Sequence, residues 1–279
     1  MIVMGNLVIW NRDKLLASPL FEPLHPVLQG FDHAHFPNLS DLNLLLTSRP
    51  AITLPSEKQL CFVQQEQGKP GFEAQYEPRC YLSGEVQTRE NNLHDLFNAL
   101  VWLTFPRSKA AINERHYHAL KGTASPLHTQ RGSTRDMATL FDESGVVVAC
   151  SKSHLVGLLC DFKWKDLFWL QRDEITASMG YYIFGHGLYE KAIQPYIGIT
   201  GQGLVVPVQE EFFTWPIAKR LQHLDECVAT YLNDSTHCRN SRELTPVPLL
   251  GIPGWSEENK LAEYYDNQDY FRPGRRNAN

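Results

Sequence analysis

The run from His94 to Trp102 carries an imidazole, a carboxylate and a carboxamide close together, at His94, Asp95 and Asn98. Read as a helix, positions 94, 98 and 102 stack on one side with 95 beside them. Leu93, Leu96, Phe97, Leu100 and Leu103 form an apolar stripe at helical spacing. A face meant only for water draws on Lys, Glu, Arg and Gln, which are good helix formers. Residues 93–104 contain no Lys, Arg or Glu. The polar groups present are poor helix formers suited to fixed hydrogen bonds, proton transfer and metal ligation. Two readings stay open: the wall of a site, with His94 as general base or metal ligand, or a buried polar network joining the helix to its neighbours.

Further polar groups could join it. His186 stands between Gly185 and Gly187, and glycines allow close approach of backbone or ligand. At the start of a helix its imidazole would tend to stay neutral, as a ligand or base must; a hydrogen-bonded core histidine is the alternative. Asp142 and Glu143 read as the tip of a β-hairpin over 138–150, where paired carboxylates could complete a metal site with His94 or serve as an ordinary four-residue turn. Arg89-Glu90-Asn91-Asn92 precedes the central helix and could hold an anion on backbone N–H groups or simply cap it. Between Arg107 and Arg135, six basic residues face Glu114 alone, with His116, His118 and His128 interleaved. This asymmetry suits a phosphate-bearing ligand or a nucleic-acid backbone, or else a solvated helix face paired to the acidic remainder. His116 and His118, two apart on a helix, point to different faces. The expected catalytic set is therefore His94, Asp95, Asn98 and His186. The expected substrate contacts are Arg89, Trp102, Lys109, Asn113 and Arg135. The expected metal set is His94, Asp142 and Glu143 around a divalent ion.

Standard signatures are missing: no Gly-x-Ser-x-Gly elbow, Walker loop, dinucleotide glycine fingerprint or His-Glu-x-x-His. The His94-Asp95 doublet, with His33 or His35 upstream, does not amount to a His-Asp phosphohydrolase, whose all-helical fold conflicts with the strand-rich pattern. Four longer runs carry more weight: His94 to Pro106, Thr139 to Gly145, Phe184 to Lys191, and Pro246 to Trp255. With the closing Tyr265-Asp266 and Phe271-Arg272-Pro273, they resemble an uncharacterised bacterial family, best represented in proteobacteria and catalogued as a domain of unknown function. The resemblance spans nearly the whole chain. It implies a single bacterial domain in a cytosolic setting and carries no activity with it.

The spacing predicts a helix from Ser40, strands over 59–64 and 77–88, and helices over 92–104 and from Pro106 to before Gly122. Further helices are expected around 153–171, 187–194 and 216–233. Residues 1–37 read as an irregular arm broken by prolines, and residues 240–279 as ordered coil wrapping back over the fold. The fold class expected is α+β: one domain over 1–279, with central helices packed on a small mixed or antiparallel sheet. The 279 residues are 43% hydrophobic and 20% charged, an ordinary globular composition, and the net charge of −5 argues against a protein that wraps nucleic acid over its whole surface. No apolar run reaches the ~18–20 residues that span a bilayer, no basic n-region precedes the first apolar residues, and the six cysteines form no Cys-x-x-Cys pair. A cytoplasmic setting without membrane partners is expected. The functional expectation is a hydrolase with a His/Asp/Asn site, metal-assisted, acting on an anionic substrate. Two alternatives stand beside it: an RNA- or phosphate-binding module using 107–135, and an interaction protein without a small-molecule site.

Overall fold

The computed structural model describes residues 3–4, 7–8, 10–32, 35–66, 68, 71–122, 131–234, 236–238 and 240–274, and side chains from residue 10 onward except those of 131–136. His33, His128 and the side chain of Arg135 lie outside that set. The chain is an α+β protein. A two-residue antiparallel pair, β1 (Val3–Met4) and β2 (Leu7–Val8), precedes α1 (Arg12–Leu16), a 3-10 turn over Pro19–Leu24 and α2 (His25–Leu28). Within the stretch expected to be an irregular arm, residues 12–28 thus carry short helical segments. Leu20, Phe21, Leu24, Val27 and Leu28 are buried, so the segment is part of the core. α3 (Leu39–Thr47) begins in a capping box between Asn38 and Asp41.

β3 (Cys61–Gln64) pairs in parallel with β4 (Glu85–Thr88), and α4 (Tyr76–Ser83) crosses between them. The strand expected over 77–88 thus holds only from Glu85. Gly84 ends the helix at φ +77°, and a Cβ there would strike the Gln59 carbonyl. α5 (Leu93–Thr104) is capped by the Asn92 side chain, and α6 (Pro106–Leu120) follows after Phe105 alone. The Phe105 cap makes no side-chain bond to α6. Instead Asp225, from a later helix, accepts from the N–H groups of Arg107 and Ser108 at 3.0 and 2.8 Å and from Ser108 Oγ at 2.7 Å.

α7 (Arg131–Ser144) runs directly into β5 (Gly145–Cys150). This overturns the hairpin expected over 138–150. Asp142-Glu143-Ser144-Gly145 has the composition of a turn, yet Met137, Ala138 and Phe141 bury one helical face, and that packing outweighs the local turn preference. α8 (Ser153–Cys160), a π-helical turn over Asp166–Leu170 and α9 (Arg172–Ser178) lead to β6 (Met179–Ile183). α10 (His186–Ala192), β7 (Thr200–Pro207), α11 (Ile217–Asn233) and β8 (Thr245–Pro248) complete the order. The main sheet is mixed, in the order β6-β5-β7-β8: β5 and β7 run parallel and the outer pairs antiparallel. All six residues of β5 are buried, as a central strand covered on both faces requires. Residues beyond β8 run in short 3-10 turns, and Tyr265, Tyr270 and Phe271 tuck under the fold; the Tyr270 hydroxyl accepts from Leu250 N at 2.9 Å and donates to the Ile199 carbonyl at 2.8 Å. Among the described residues no helix is long and apolar enough to cross a membrane.

Candidate functional site

Three helices with different sequence origins meet at one point because aromatic packing locks them. Phe97 of α5 stacks on Tyr189 of α10 at 5.7 Å, and Phe21 wedges against both at 5.9 and 5.5 Å. Phe141 of α7 stacks on Phe184, just before α10, at 4.7 Å, and Phe105 closes the same group at 5.3 Å. His94, Glu143 and His186 are carried on these helices. The glycines beside His186 have a clear reason. A Cβ on Gly185 would sit 2.5 Å from the backbone nitrogens of Ser144 and Gly145, and one on Gly187 would strike the Glu143 carboxylate. The end of α7 can reach His186 only because both positions lack a side chain.

The imidazoles face one another, His94 Nε2 and His186 Nε2 being 3.1 Å apart. Glu143 Oε1 completes a triangle at 3.9 Å from the first and 3.5 Å from the second. A circle through points with those three separations has a radius of about 2.05 Å, inside the roughly 2.0–2.2 Å range of nitrogen and carboxylate bonds to zinc. Behind each ring stands a second carboxylate. Glu190 Oε2 lies 3.2 Å from His94 Nδ1, and Asp142 Oδ2 lies 3.7 Å from His186 Nδ1, a buried nitrogen with no hydrogen-bond partner. Carboxylates on that side favour Nδ1–H, which leaves the Nε2 lone pairs aimed into the triangle. With both protons on Nδ1, two nitrogen lone pairs and a carboxylate oxygen converge, an arrangement that must be relieved by a shared proton, such as one His186 donates to Glu143, or by a cation. These three groups could hold a metal ion.

Charge on the surrounding carboxyls follows their neighbours. Glu143 is held below its ordinary carboxylate pKa by the hydrogen bond and charge of His186, with His94 assisting, against burial and the nearby Asp142. Burial alone would push Asp142 up, but Lys109 and His186 overcome it and hold that carboxyl below its usual range. Lys109 Nζ sits 2.5 Å from Asp142 Oδ1 and is 3% exposed. Burial likewise opposes ionisation of Asp95, and the fork from Arg89 prevails: Nε and Nη2 donate to Oδ2 and Oδ1 at 2.8 Å each.

The triangle opens on a cleft of about 840 Å³. His94, Asp95, Asn98, His186, Asp142 and Glu143 all line it, and so does Arg89. The expected catalytic and metal residues are thus brought together, with His186 in the converging trio and Asp142 behind it. Trp102, Lys109 and Asn113 lie behind the wall. Trp102 is buried with its Nε1 3.5 Å from the Tyr76 hydroxyl, and Asn113 bonds to Glu77. Asn98 Nδ2 donates to the same Tyr76 hydroxyl at 2.7 Å, leaving its Oδ1 buried and unpartnered at the cleft. Four wall residues did not stand out in the sequence: Tyr76, Glu77, Thr139 and, behind His94, Glu190. Glu190 lies four residues past His186, a helical spacing that could have flagged it.

No curated protein and no solved structure matches the chain. A family model matches residues 60–275, a span that takes in every residue of the cleft. The chain belongs to the family described as Protein of unknown function (DUF3025).

Proposed function

We propose that the cleft is the active site of a metal-assisted hydrolase, in which His94, His186 and Glu143 hold one divalent ion and leave its remaining positions open to water and substrate. The observation that carries this reading is the triangle of three acceptor atoms whose centre lies at bonding distance from each. Two imidazoles and one carboxylate with an open position form a donor set that serves hydrolytic zinc, and the carboxylates behind the rings are what such ligands ordinarily have. An ion there lowers the pKa of a bound water enough to supply hydroxide near neutral pH. The same donor set also serves non-haem iron. Hydrolysis is favoured because the cleft is open and lined with polar groups, whereas reactive oxygen intermediates need a wall that keeps water out.

Wall charge guides the substrate class. Glu66, Glu77, Asp95, Asp142 and Glu143 line the cleft, and Arg89 is committed to Asp95. Lys109 is committed to Asp142 from behind. Arg79 pairs with Glu66, so with a doubly charged ion bound no free positive group is left among the described residues of the wall, which favours a neutral substrate over the anionic one expected from the basic stretch. Against the nucleic-acid reading stand the partners of its basic residues. Arg107 pairs with Glu226, Arg115 donates to the Leu232 and Asp234 carbonyls, and Lys121 lies over the Tyr117 ring.

Metal analysis and calorimetry test the proposal. Chelator-stripped protein titrated with zinc should take up one ion per chain, and His94→Ala or His186→Ala should weaken that binding by about 100-fold at a nearly unchanged melting temperature. Wild type that binds no divalent ion, or variants that bind as tightly as wild type, would remove the proposal. Iron retained through purification, with zinc binding weaker, would replace hydrolysis with redox chemistry at the same residues.

A further inference from the structure

Thr139 occupies the same face of α7 as Asp142 and Glu143, one helical turn before them. Its side chain is exposed to the cleft, and Oγ1 lies 3.4 Å from His116 Nε2. The other nitrogen of that ring, Nδ1, lies 3.0 Å from Glu77 Oε1. The imidazole is 8% exposed and the Glu77 carboxylate 23%. Asn113 fixes the acid from behind: its Nδ2 donates to the Glu77 carbonyl at 3.0 Å and to Oε2. The three groups come from three helices, α4, α6 and α7, and all line the cleft.

The order is carboxylate, imidazole, hydroxyl. A carboxylate on Nδ1 favours the tautomer that carries its proton there, leaving the Nε2 lone pair aimed at the hydroxyl. That is the arrangement by which a weak nucleophile is activated, and such contacts are commonly loose before substrate binds. We propose that Glu77, His116 and Thr139 form a nucleophilic triad that makes Thr139 Oγ1 an acyl acceptor for carboxylic esters. Oγ1 attacks the ester carbonyl carbon, forming the Oγ1–C bond while its proton passes to His116 Nε2. The C–O bond to the leaving alcohol then breaks, and the alcohol takes the proton from His116. Water repeats the sequence in reverse, returning its proton through His116 and releasing the acid from Thr139. Glu77 holds the ring and balances its transient charge. No ion takes part, so this inference stands apart from the metal reading.

The test uses the full chain in excess chelator, which separates it from the metal centre. p-Nitrophenyl acetate and an alkyl fluorophosphonate are applied in parallel, with peptide mass spectrometry to place any adduct. The expected result is one acetyl or phosphonyl group per chain on Thr139, accompanied by release of p-nitrophenolate in the first case. Thr139→Val, at an exposed position that should not disturb folding, abolishes it, and Thr139→Ser retains it. Glu77→Gln and His116→Gln slow it by about 100-fold or more. If His116→Gln fails to fold, the Thr139 and Glu77 variants decide. Absence of any adduct on Thr139 with both reagents, or labelling unaffected by Glu77→Gln, overturns the inference.

Discussion

Replacing Lys109 with Met probes the buried charge that supports the site. The ammonium is 3% exposed and lies 2.5 Å from Asp142 Oδ1, on a side chain 14% exposed. The Trp102 ring lies 5.6 Å from it. Methionine roughly keeps the volume of the stem and removes the charge, leaving Asp142 as a buried carboxylate with His186 and, more weakly, His116 to favour its charge. Breaking a buried pair from one side costs about 3–5 kcal/mol. At about 2–4 °C per kcal/mol for a chain of this size, the melting midpoint should fall by about 6–20 °C near neutral pH. The pH dependence has a definite sign. In the native protein Asp142 has a depressed folded-state pKa, so its contribution is present above the unfolded value of about 3.9 and is lost as pH falls through the folded one. Without Lys109 burial dominates and raises that pKa. The variant's deficit should therefore shrink between about pH 7 and about pH 5, as the carboxyl takes a proton instead of a cation. Thermal and urea unfolding at both pH values measure this, and Asp142→Asn added to Lys109→Met should recover more than half of the loss. A loss below about 1 kcal/mol, equal at both pH values, would mean that the pair is hydrated and the reasoning fails.

Gly187→Ala should cost little stability, since the new Cβ meets chiefly the movable carboxylate of Glu143 and lies 3.1 Å from its carbonyl, but should weaken divalent-metal binding by about 10-fold or more in a zinc titration. Gly185→Ala, whose Cβ meets fixed backbone at Ser144 and Gly145, should instead lower stability by about 1–3 kcal/mol, read from the urea midpoint. Asp225→Ala strands the Arg107 and Ser108 N–H groups at the start of α6, the second of them buried, and leaves the Ser108 hydroxyl only the carbonyl of residue 225. A loss of about 2–4 kcal/mol is expected there, and a loss within about 0.5 kcal/mol would contradict the capping role.

How much of this was legible in the sequence depends on which interactions are local. The central helix announced itself, because its stripe is periodic and its remaining polar residues are short and directional. Asp95 and Asn98 prove to be tied to Arg89 and Tyr76, so they serve as parts of the wall, with the acceptor triangle built around His94. His186 could be singled out by its glycines, although their reason, the approach of Glu143, lies 43 residues away and needed three dimensions. Asp142 and Glu143 were found as a pair but set on a hairpin, since a Gly-terminated acidic run satisfies turn chemistry as well as a helix end does. Met137, Ala138 and Phe141 decide between them only once their burial is known. Lys109 reads as a surface cation in sequence. Nothing local says that its partner is Asp142, 33 residues on. Glu77 is hidden for a related reason: the pattern over 77–88 suits a strand, which conceals the helical face it shares with Cys80 and separates it from His116.

Anomalous diffraction at the zinc edge, from crystals of the full chain soaked in zinc, tests the shared centre of the site most directly. One peak is expected within about 2.0–2.2 Å of His94 Nε2, His186 Nε2 and a Glu143 carboxylate oxygen. A map with no peak there, or with zinc held by other residues while the two imidazoles remain bonded to each other, would contradict it.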